Sequence, residues 1–182
     1  MGHFGTYGLK ISNYLEVALP QLLQDCRVHV ILLGRGSGSF REAFVRRNPA
    51  ITARLHATDH LPGEHLSCHL SACDLMIQPY PDGISTRRTS VMAALAHGRP
   101  VVTTLGRLTE PLWTESSAVA IVAADDAAAL ASLAASLIDL PSERERLAFA
   151  GATLYRDYFD LRHTINSLRT PDADCHCQLD RP

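Results

Sequence analysis

The sequence predicts an α/β fold in which a doubly wound parallel sheet carries helices on both faces. Short apolar runs alternate along the chain with longer segments in which apolar residues recur at helical spacing. Loops rich in glycine, proline and aspartate separate these segments. The chain has 182 residues, 46% of them hydrophobic, which is enough for one well-buried domain. We therefore expect a single domain over residues 1–165 and a polar tail over residues 166–182.

Two glycine-rich loops, each opening a helix, mark the first half of the chain. Residues 2–8 precede a helix predicted over residues 10–24, where Ile11, Leu15 and Ala18 share one face. A strand is predicted over residues 27–33, and residues 34–39 are predicted to lead into a second helix that Pro49 ends. No strand is evident before the first loop. The sequence thus predicts that the first strand is missing and that the chain is truncated.

The second half repeats the same alternation of strands and helices. Strands are predicted over residues 51–57, 74–78, 100–104 and 118–123. Helices are predicted over residues 61–73, from Ser85 or Thr86 to Gly98, from Asp125 or Asp126 onward, and finally through about Tyr158.

Composition excludes several functional classes. Lysine and arginine total 17 against 19 aspartates and glutamates, with no long run of like charge, so we expect no nucleic-acid partner. No apolar run is long enough to span a membrane and no signal sequence is evident, which favours a cytoplasmic protein. The five cysteines form no regular framework, and we assign no metal site. Asp174 to Cys177 lie in the polar tail, where a formed metal site is not expected.

Two adjacent arginines stand near the predicted start of a helix at the carboxyl end of a strand. Arg87 and Arg88 follow the strand 74–78 and a loop that contains Asp82 and Gly83. A helix N-terminus carries partial positive charge, so cations are unfavourable there unless an anion binds among them. Ligands of open α/β sheets bind at this edge. The segment thus predicts a phosphate site, with solvated surface arginines as the alternative.

The order of these features resembles the C-terminal half of the group 1 glycosyltransferases. The most specific part is residues 82–104, with the ending Gly98-Arg99-Pro100-Val101-Val102, and the likeness extends over about residues 1–163. The resemblance implies a Rossmann-like domain of a B-type glycosyltransferase that binds a nucleoside diphosphate sugar as donor substrate, with no other cofactor. It also implies an N-terminal acceptor domain, separate or missing.

The resemblance further implies which residues bind the donor, while it assigns no catalytic residue. For the diphosphate it implies Gly2, Gly5, Gly8, Lys10, Ser85, Thr86, Arg87 and Arg88. For the nucleotide and sugar loop it implies Asp82, Gly83 and Ile84. The family commonly has two glutamates where this chain has Ser85 and Ala93.

Two alternatives stay open at the level of sequence. The first is a non-catalytic fragment or partner module with the same fold. The second is a dinucleotide-binding domain, because Gly34-Arg35-Gly36-Ser37-Gly38 follows a strand and opens a helix, with Asp59 at about the right distance along the chain.

Overall fold

Six parallel strands form one sheet in the computed structural model, which describes residues 1–169. The strands are β1 (Gly2–Phe4), β2 (Val30–Leu33), β3 (Leu55–Ala57), β4 (Met76–Gln78), β5 (Val101–Leu105) and β6 (Ala120–Ala123). Their spatial order is β3-β2-β1-β4-β5-β6. The order reverses between β1 and β4, which lie side by side in the middle of the sheet. This is the doubly wound arrangement that the sequence predicts.

Helices cover both faces of the sheet, as parallel strands require. They are α1 (Leu9–Leu22), α2 (Ser37–Arg47), α3 (Gly63–Ser71), α4 (Thr89–Ala96), α5 (Pro111–Glu115), α6 (Ala127–Ser136), α7 (Pro141–Leu154) and α8 (Leu161–Arg169). Short 3₁₀ turns occupy Pro49–Ile51 and Leu137–Asp139, and a π-helical turn spans Tyr155–Phe159. Side chains of α1, α2 and α6 pack on one face and those of α3 and α4 on the other, while α7 adds Leu147 to the first group and Leu154 to the second.

The prediction that a strand is absent before the first glycine loop is wrong. Gly2–Phe4 form β1, which pairs with β2 on one side and β4 on the other. Only residues 5–8 therefore form the loop before α1. Three residues that include a glycine and a histidine are too few to show strand periodicity, so only tertiary pairing reveals this strand.

The C-terminal part is more helical than the predicted tail. Helix α8 continues to Arg169, so the first residues of the segment 166–182 are helical. The rest of the predicted tail, including Asp174 to Cys177, lies outside the described residues. Within residues 1–169, no helix has the length and apolar character needed to cross a membrane.

Candidate functional site

A cavity of about 250 Å³ opens at the carboxyl edge of β1 and β4. It lies at the point where the strand order reverses, which is where open α/β sheets bind ligands. The start of α4 forms one wall, and the chain after β1 forms another. Polar side chains on its walls are those of His3, Thr6, Gln78, Arg87, Arg88, Thr89 and Ser90.

Two buried polar side chains of this cavity carry atoms that have no hydrogen-bond partner within residues 1–169. His3 is 3% exposed, and its Nδ1 lies 2.8 Å from the carbonyl oxygen of Ile77. A carbonyl only accepts, so Nδ1 carries the proton and Nε2 is left as a free acceptor. Both amide atoms of Gln78 are likewise buried and unpartnered. Each buried polar group without a partner destabilises the fold by about 1–3 kcal/mol. Such groups in a cavity are candidates for contact with a ligand.

His3 also predicts how stability depends on pH. Burial lowers the pKa of His3 from 6.5 to about 4, against the opposing hydrogen bond to Ile77. Below pH 6.5 the unfolded chain binds a proton at His3, whereas the folded chain does so only near pH 4. The free energy of unfolding should therefore fall as pH drops from 6.5 to 4, on the order of 3 kcal/mol from this residue.

Urea unfolding of the wild type and of His3→Phe, at about pH 7 and about pH 4.5, measures this contribution. The wild type should lose more stability than the variant between the two conditions. Equal losses in both proteins would show that His3 titrates normally when folded.

Arg88 contributes the second charged feature of the cavity. Its guanidinium carbon lies 4.7 Å from the centre of the Tyr80 ring, and its Nε is buried without a partner in the described chain. The Tyr80 hydroxyl is 2.8 Å from Ser90 Oγ. Burial raises the pKa of Tyr80 to about 12, so the hydroxyl stays protonated at neutral pH. The aromatic ring thus holds Arg88 beside the first turn of α4.

Helix α4 begins later than the sequence predicts. Its first residue is Thr89 and its N-cap is Arg88, so neither Ser85 nor Thr86 caps it. The preceding residues form a turn in which Arg88 N–H donates to the Ser85 carbonyl. Arg87 and Arg88 therefore flank the helix start instead of lying within its first turn. Thr89 and Ser90, the first two residues of that turn, line the cavity.

Glu110 binds both the backbone N–H and the side-chain hydroxyl of Thr86, so this hydroxyl is not available as a helix cap. Its carboxylate accepts hydrogen bonds from the Thr86 N–H at 3.1 Å, from the Thr86 hydroxyl at 2.9 Å and from the Trp113 indole at 3.1 Å. Burial acts to raise the pKa of Glu110, but these hydrogen bonds outweigh it and lower the pKa. This contact could not be predicted from local sequence patterns, because Glu110 lies 24 positions after Thr86.

The remaining residues of the loop serve packing and turn formation, and none of them lines the cavity. Ile84 is fully buried and Ser85 is 5% exposed. Gly83 has φ +87° and lies against Gly106. Asp82 pairs with Arg107 at 2.9 Å. The structure therefore does not bring Asp82, Gly83, Ile84, Ser85 or Thr86 to the cavity that Arg87 and Arg88 line.

The glycines and the lysine predicted to bind the diphosphate fall into two groups. Some use their N–H groups within the sheet, and others are exposed at the start of α1. Gly2 lies inside β1, where its N–H donates to the Leu75 carbonyl, so it has no N–H for a phosphate. The Gly5 N–H donates to the Leu33 carbonyl. Gly8 is exposed at the N-cap of α1, and Lys10 is exposed in its first turn. Only Gly8 and Lys10 lie at a helix start open to solvent, beside the loop that carries Thr6.

Sequence reasoning missed His3, Gln78, Thr89 and Ser90 as site residues. Gln78 gave a usable signal, because it is a polar residue at the end of an otherwise apolar strand. His3 gave none, since its role depends on β1, which the sequence does not reveal.

The second glycine loop is occupied by the chain's own carboxylate. Asp59 Oδ1 accepts from the N–H groups of Gly36 at 3.1 Å and Gly38 at 3.0 Å. The Asp59 N–H in turn donates to Ser37 Oγ at 2.8 Å. This carboxylate lies where a dinucleotide phosphate would bind at the start of α2. The arrangement argues against the dinucleotide-binding alternative, in which Asp59 would instead be free for a ribose.

Replacement of Asp59 tests this capping role. Asp59→Ala should lower the free energy of unfolding by about 1–3 kcal/mol, because two N–H groups lose their acceptor. Asp59→Asn should lose less, since the amide keeps an oxygen acceptor and asparagine tolerates the φ of 51° found here. Urea unfolding measures both variants. A fully stable Asp59→Ala variant would contradict the assignment.

A larger cavity, of about 410 Å³, lies at the opposite, amino-terminal edge of the sheet. Its arginines already have partners: Arg27 pairs with Asp25 at 2.6 Å and Asp139 at 2.9 Å, and Arg144 donates to the Ile138 carbonyl. Within the described part of the chain, none of the buried atoms without a hydrogen-bond partner belongs to the residues that line this cavity. Size alone therefore does not make it the functional site. No cluster of metal-ligating side chains occurs within residues 1–169.

Comparison with known proteins decides the family. The family described as "Glycosyl transferases group 1" matches residues 2–139. The chain belongs to this family. Searching the curated proteins gives no match.

Solved glycosyltransferase structures share the fold at low sequence identity. WaaG, a glycosyltransferase involved in lipopolysaccharide biosynthesis, has 17% identity and a TM-score of 0.72, over 92% of this chain and 45% of that one. Anabaena HepE in complex with UDP-glucose has 20% identity and a TM-score of 0.71, over 92% and 46%. The C-terminal domain of LpcC, a group 1 protein from Francisella tularensis, has 12% identity and a TM-score of 0.68, over 87% and 83%.

These matches show which part of the solved glycosyltransferases shares this fold. The chain spans somewhat less than half the length of WaaG and HepE, and most of the isolated C-terminal domain of LpcC. The predicted fold, a Rossmann-like sheet corresponding to the C-terminal half of a B-type glycosyltransferase, is confirmed.

Proposed function

We propose that this domain binds a nucleoside diphosphate sugar in the cavity between β1 and the start of α4, as the donor for sugar transfer. The observation that carries the proposal is the grouping of Arg87, Arg88 and the first turn of α4 around buried polar atoms that have no partner among the described residues. Family membership supports a role in sugar transfer in general. HepE, which shares the fold, is known in complex with UDP-glucose.

The charges of the cavity suit a diphosphate. Arg87 and Arg88 line it, and no acidic side chain among residues 1–169 does. Each arginine can donate charge-assisted hydrogen bonds to phosphate oxygens, and the N-terminal end of α4 adds its dipole. During transfer the nucleoside diphosphate leaves with additional negative charge. Arginines already in place would stabilise that leaving group without reorganisation.

The acceptor side of the reaction belongs to the proposal as well. The full-length glycosyltransferases that share the fold are about twice as long as this chain. We expect an acceptor domain, in the same polypeptide or a separate one, to face the carboxyl edge of the sheet. We assign none of the described residues to acceptor binding, and therefore name no catalytic base.

A thermal-shift titration with UDP, GDP, ADP and NAD tests the proposal. A ligand present at a hundred times its dissociation constant adds about 2.7 kcal/mol to the folded state. One nucleoside diphosphate should raise the melting temperature, whereas NAD should not, because Asp59 occupies the second glycine loop. No stabilisation by any nucleoside diphosphate would favour a non-catalytic module, consistent with Ser85 and Ala93 in place of the family's glutamates.

A further inference from the structure

The cavity holds more hydrogen-bond acceptors than a diphosphate can satisfy. His3 Nε2 and Gln78 Oε1 are both buried acceptors without a partner among residues 1–169. Diphosphate oxygens at neutral pH are themselves acceptors and have no proton to donate. A ligand that brought only phosphate to this cavity would leave both atoms unpaired, at a cost of about 1–3 kcal/mol each.

Burial divides the cavity into two parts of different character. His3 and Gln78, with 3% and 0% exposure, form what we call the buried wall. Arg87 is exposed and forms an outer rim, with Thr89 beside it. At about 250 Å³ the cavity is smaller than typical pockets for whole small molecules, which are roughly 300–1,000 Å³. Only part of a nucleotide sugar can therefore lie against the buried wall while the rest extends over the rim.

Hydroxyl groups are the ligand chemistry that fits the buried wall. A hydroxyl donates one hydrogen bond and accepts others, so it can donate to His3 Nε2 or Gln78 Oε1 and accept from Gln78 Nε2. His3 remains neutral at neutral pH, because burial lowers its pKa to about 4, and its Nε2 keeps the lone pair that accepts. The Ile77 carbonyl fixes this tautomer through Nδ1.

We infer that His3 and Gln78 recognise hydroxyl groups of the bound donor, so that the buried wall selects a sugar-bearing ligand over a diphosphate alone. This inference rests on the proposed function. Two parts of a nucleoside diphosphate sugar carry hydroxyls: the transferred sugar and the ribose. The same wall chemistry serves either source, and the experiment separates them.

Isothermal titration calorimetry compares three matched pairs of ligands, UDP with UDP-glucose, GDP with GDP-mannose and ADP with ADP-glucose. The proteins are the wild type, His3→Phe and Gln78→Met, with Thr103→Val as control. Thr103 Oγ1 donates to the Gln78 carbonyl at 2.7 Å, is fully buried and does not line the cavity. It thus reports the effect of losing a nearby buried hydrogen bond.

For the pair that the wild type binds, His3→Phe and Gln78→Met should each weaken nucleotide-sugar binding about tenfold or more, while Thr103→Val should not. A loss confined to the nucleotide sugar assigns the hydroxyl to the transferred sugar. An equal loss for the nucleoside diphosphate assigns it to the ribose. Unchanged affinity in both variants would mean that water satisfies these atoms, and the inference would be overturned while the proposed function stands.

An NMR measurement on the wild type tests the same inference without relying on variants that could misfold. The ¹⁵N resonance of His3 Nε2 should move on saturation with whichever of UDP-glucose, GDP-mannose and ADP-glucose the wild type binds, because accepting a hydrogen bond changes its shielding. An unmoved resonance in the saturated complex would overturn the inference. Failure of the wild type to bind any of the six ligands would overturn the proposed function and this inference with it.

Discussion

Replacing Arg87 and Arg88 together with alanine is expected to weaken nucleoside diphosphate binding by about a hundredfold or more. A charge-assisted hydrogen bond to phosphate contributes about 1.5–3 kcal/mol, and the variant loses such bonds from two residues. Removing the guanidinium of Arg88 also exposes the face of the Tyr80 ring, on which it lies at 4.7 Å. Calorimetry with the nucleoside diphosphate that stabilises the wild type measures the loss.

Adjacent arginines elsewhere in the chain provide a matched control. Arg46 and Arg47 stand in the last turn of α2, where Arg47 pairs with Glu16 at 2.8 Å on the surface. Arg46→Ala with Arg47→Ala removes the same charge from the protein but none from the cavity. The control should bind the nucleotide nearly as the wild type does. Equal losses in the two double variants would indicate a general charge effect and remove Arg87 and Arg88 from the site.

Gly83→Ala is expected to destabilise the domain by about 3 kcal/mol or more. Gly83 has φ +87°, a conformation that costs an L-residue roughly 1–2 kcal/mol. An added Cβ would also collide with the Gly106 backbone and with Thr109 Oγ1, and backbone atoms cannot move aside easily. Because Gly83 follows β4 and precedes the turn to α4, a shift here would also displace Arg88.

Gly63→Ala is the control for this prediction. Gly63 begins α3, is exposed, and a Cβ there would meet no atom within 4 Å. Alanine should be neutral or slightly stabilising at such a position. Urea unfolding of both variants gives the comparison. A Gly83→Ala variant as stable as Gly63→Ala would show that the tight turn is not required.

Local sequence patterns predicted most of the fold because most of its elements are amphipathic or fully buried. The apolar runs that form β4 and β5, the helical spacing of α1 and the left-handed Gly98 at the end of α4 can all be read from residues close together in sequence. The exception, β1, has three residues and no pattern of its own. It is a strand because it pairs with β2 and β4, whose partner residues lie 29 and 74 positions further along the chain.

The candidate site was predicted less well for the same physical reason. Charge placement alone identified Arg87 and Arg88, because two cations beside a helix start need an explanation. Thr86 looked equivalent in sequence, yet Glu110 captures its N–H and hydroxyl from a distant loop. His3 and Gln78 meet only because β1 and β4 are neighbours in the sheet. Contacts between distant segments decide which polar residues remain free for a ligand.

The most direct test of the proposed site is a ¹H–¹⁵N correlation spectrum of the labelled protein, titrated with the nucleoside diphosphate that stabilises it most. We expect the largest shift changes at residues 87–90, which line the cavity at the carboxyl edge of β1 and β4, and at residues 5–8, the loop that carries the cavity-lining Thr6. Residues 34–38 should change little, because Asp59 already occupies their N–H groups. Largest changes at residues 34–38, or at the amino-terminal edge of the sheet, would contradict the assignment of the donor site.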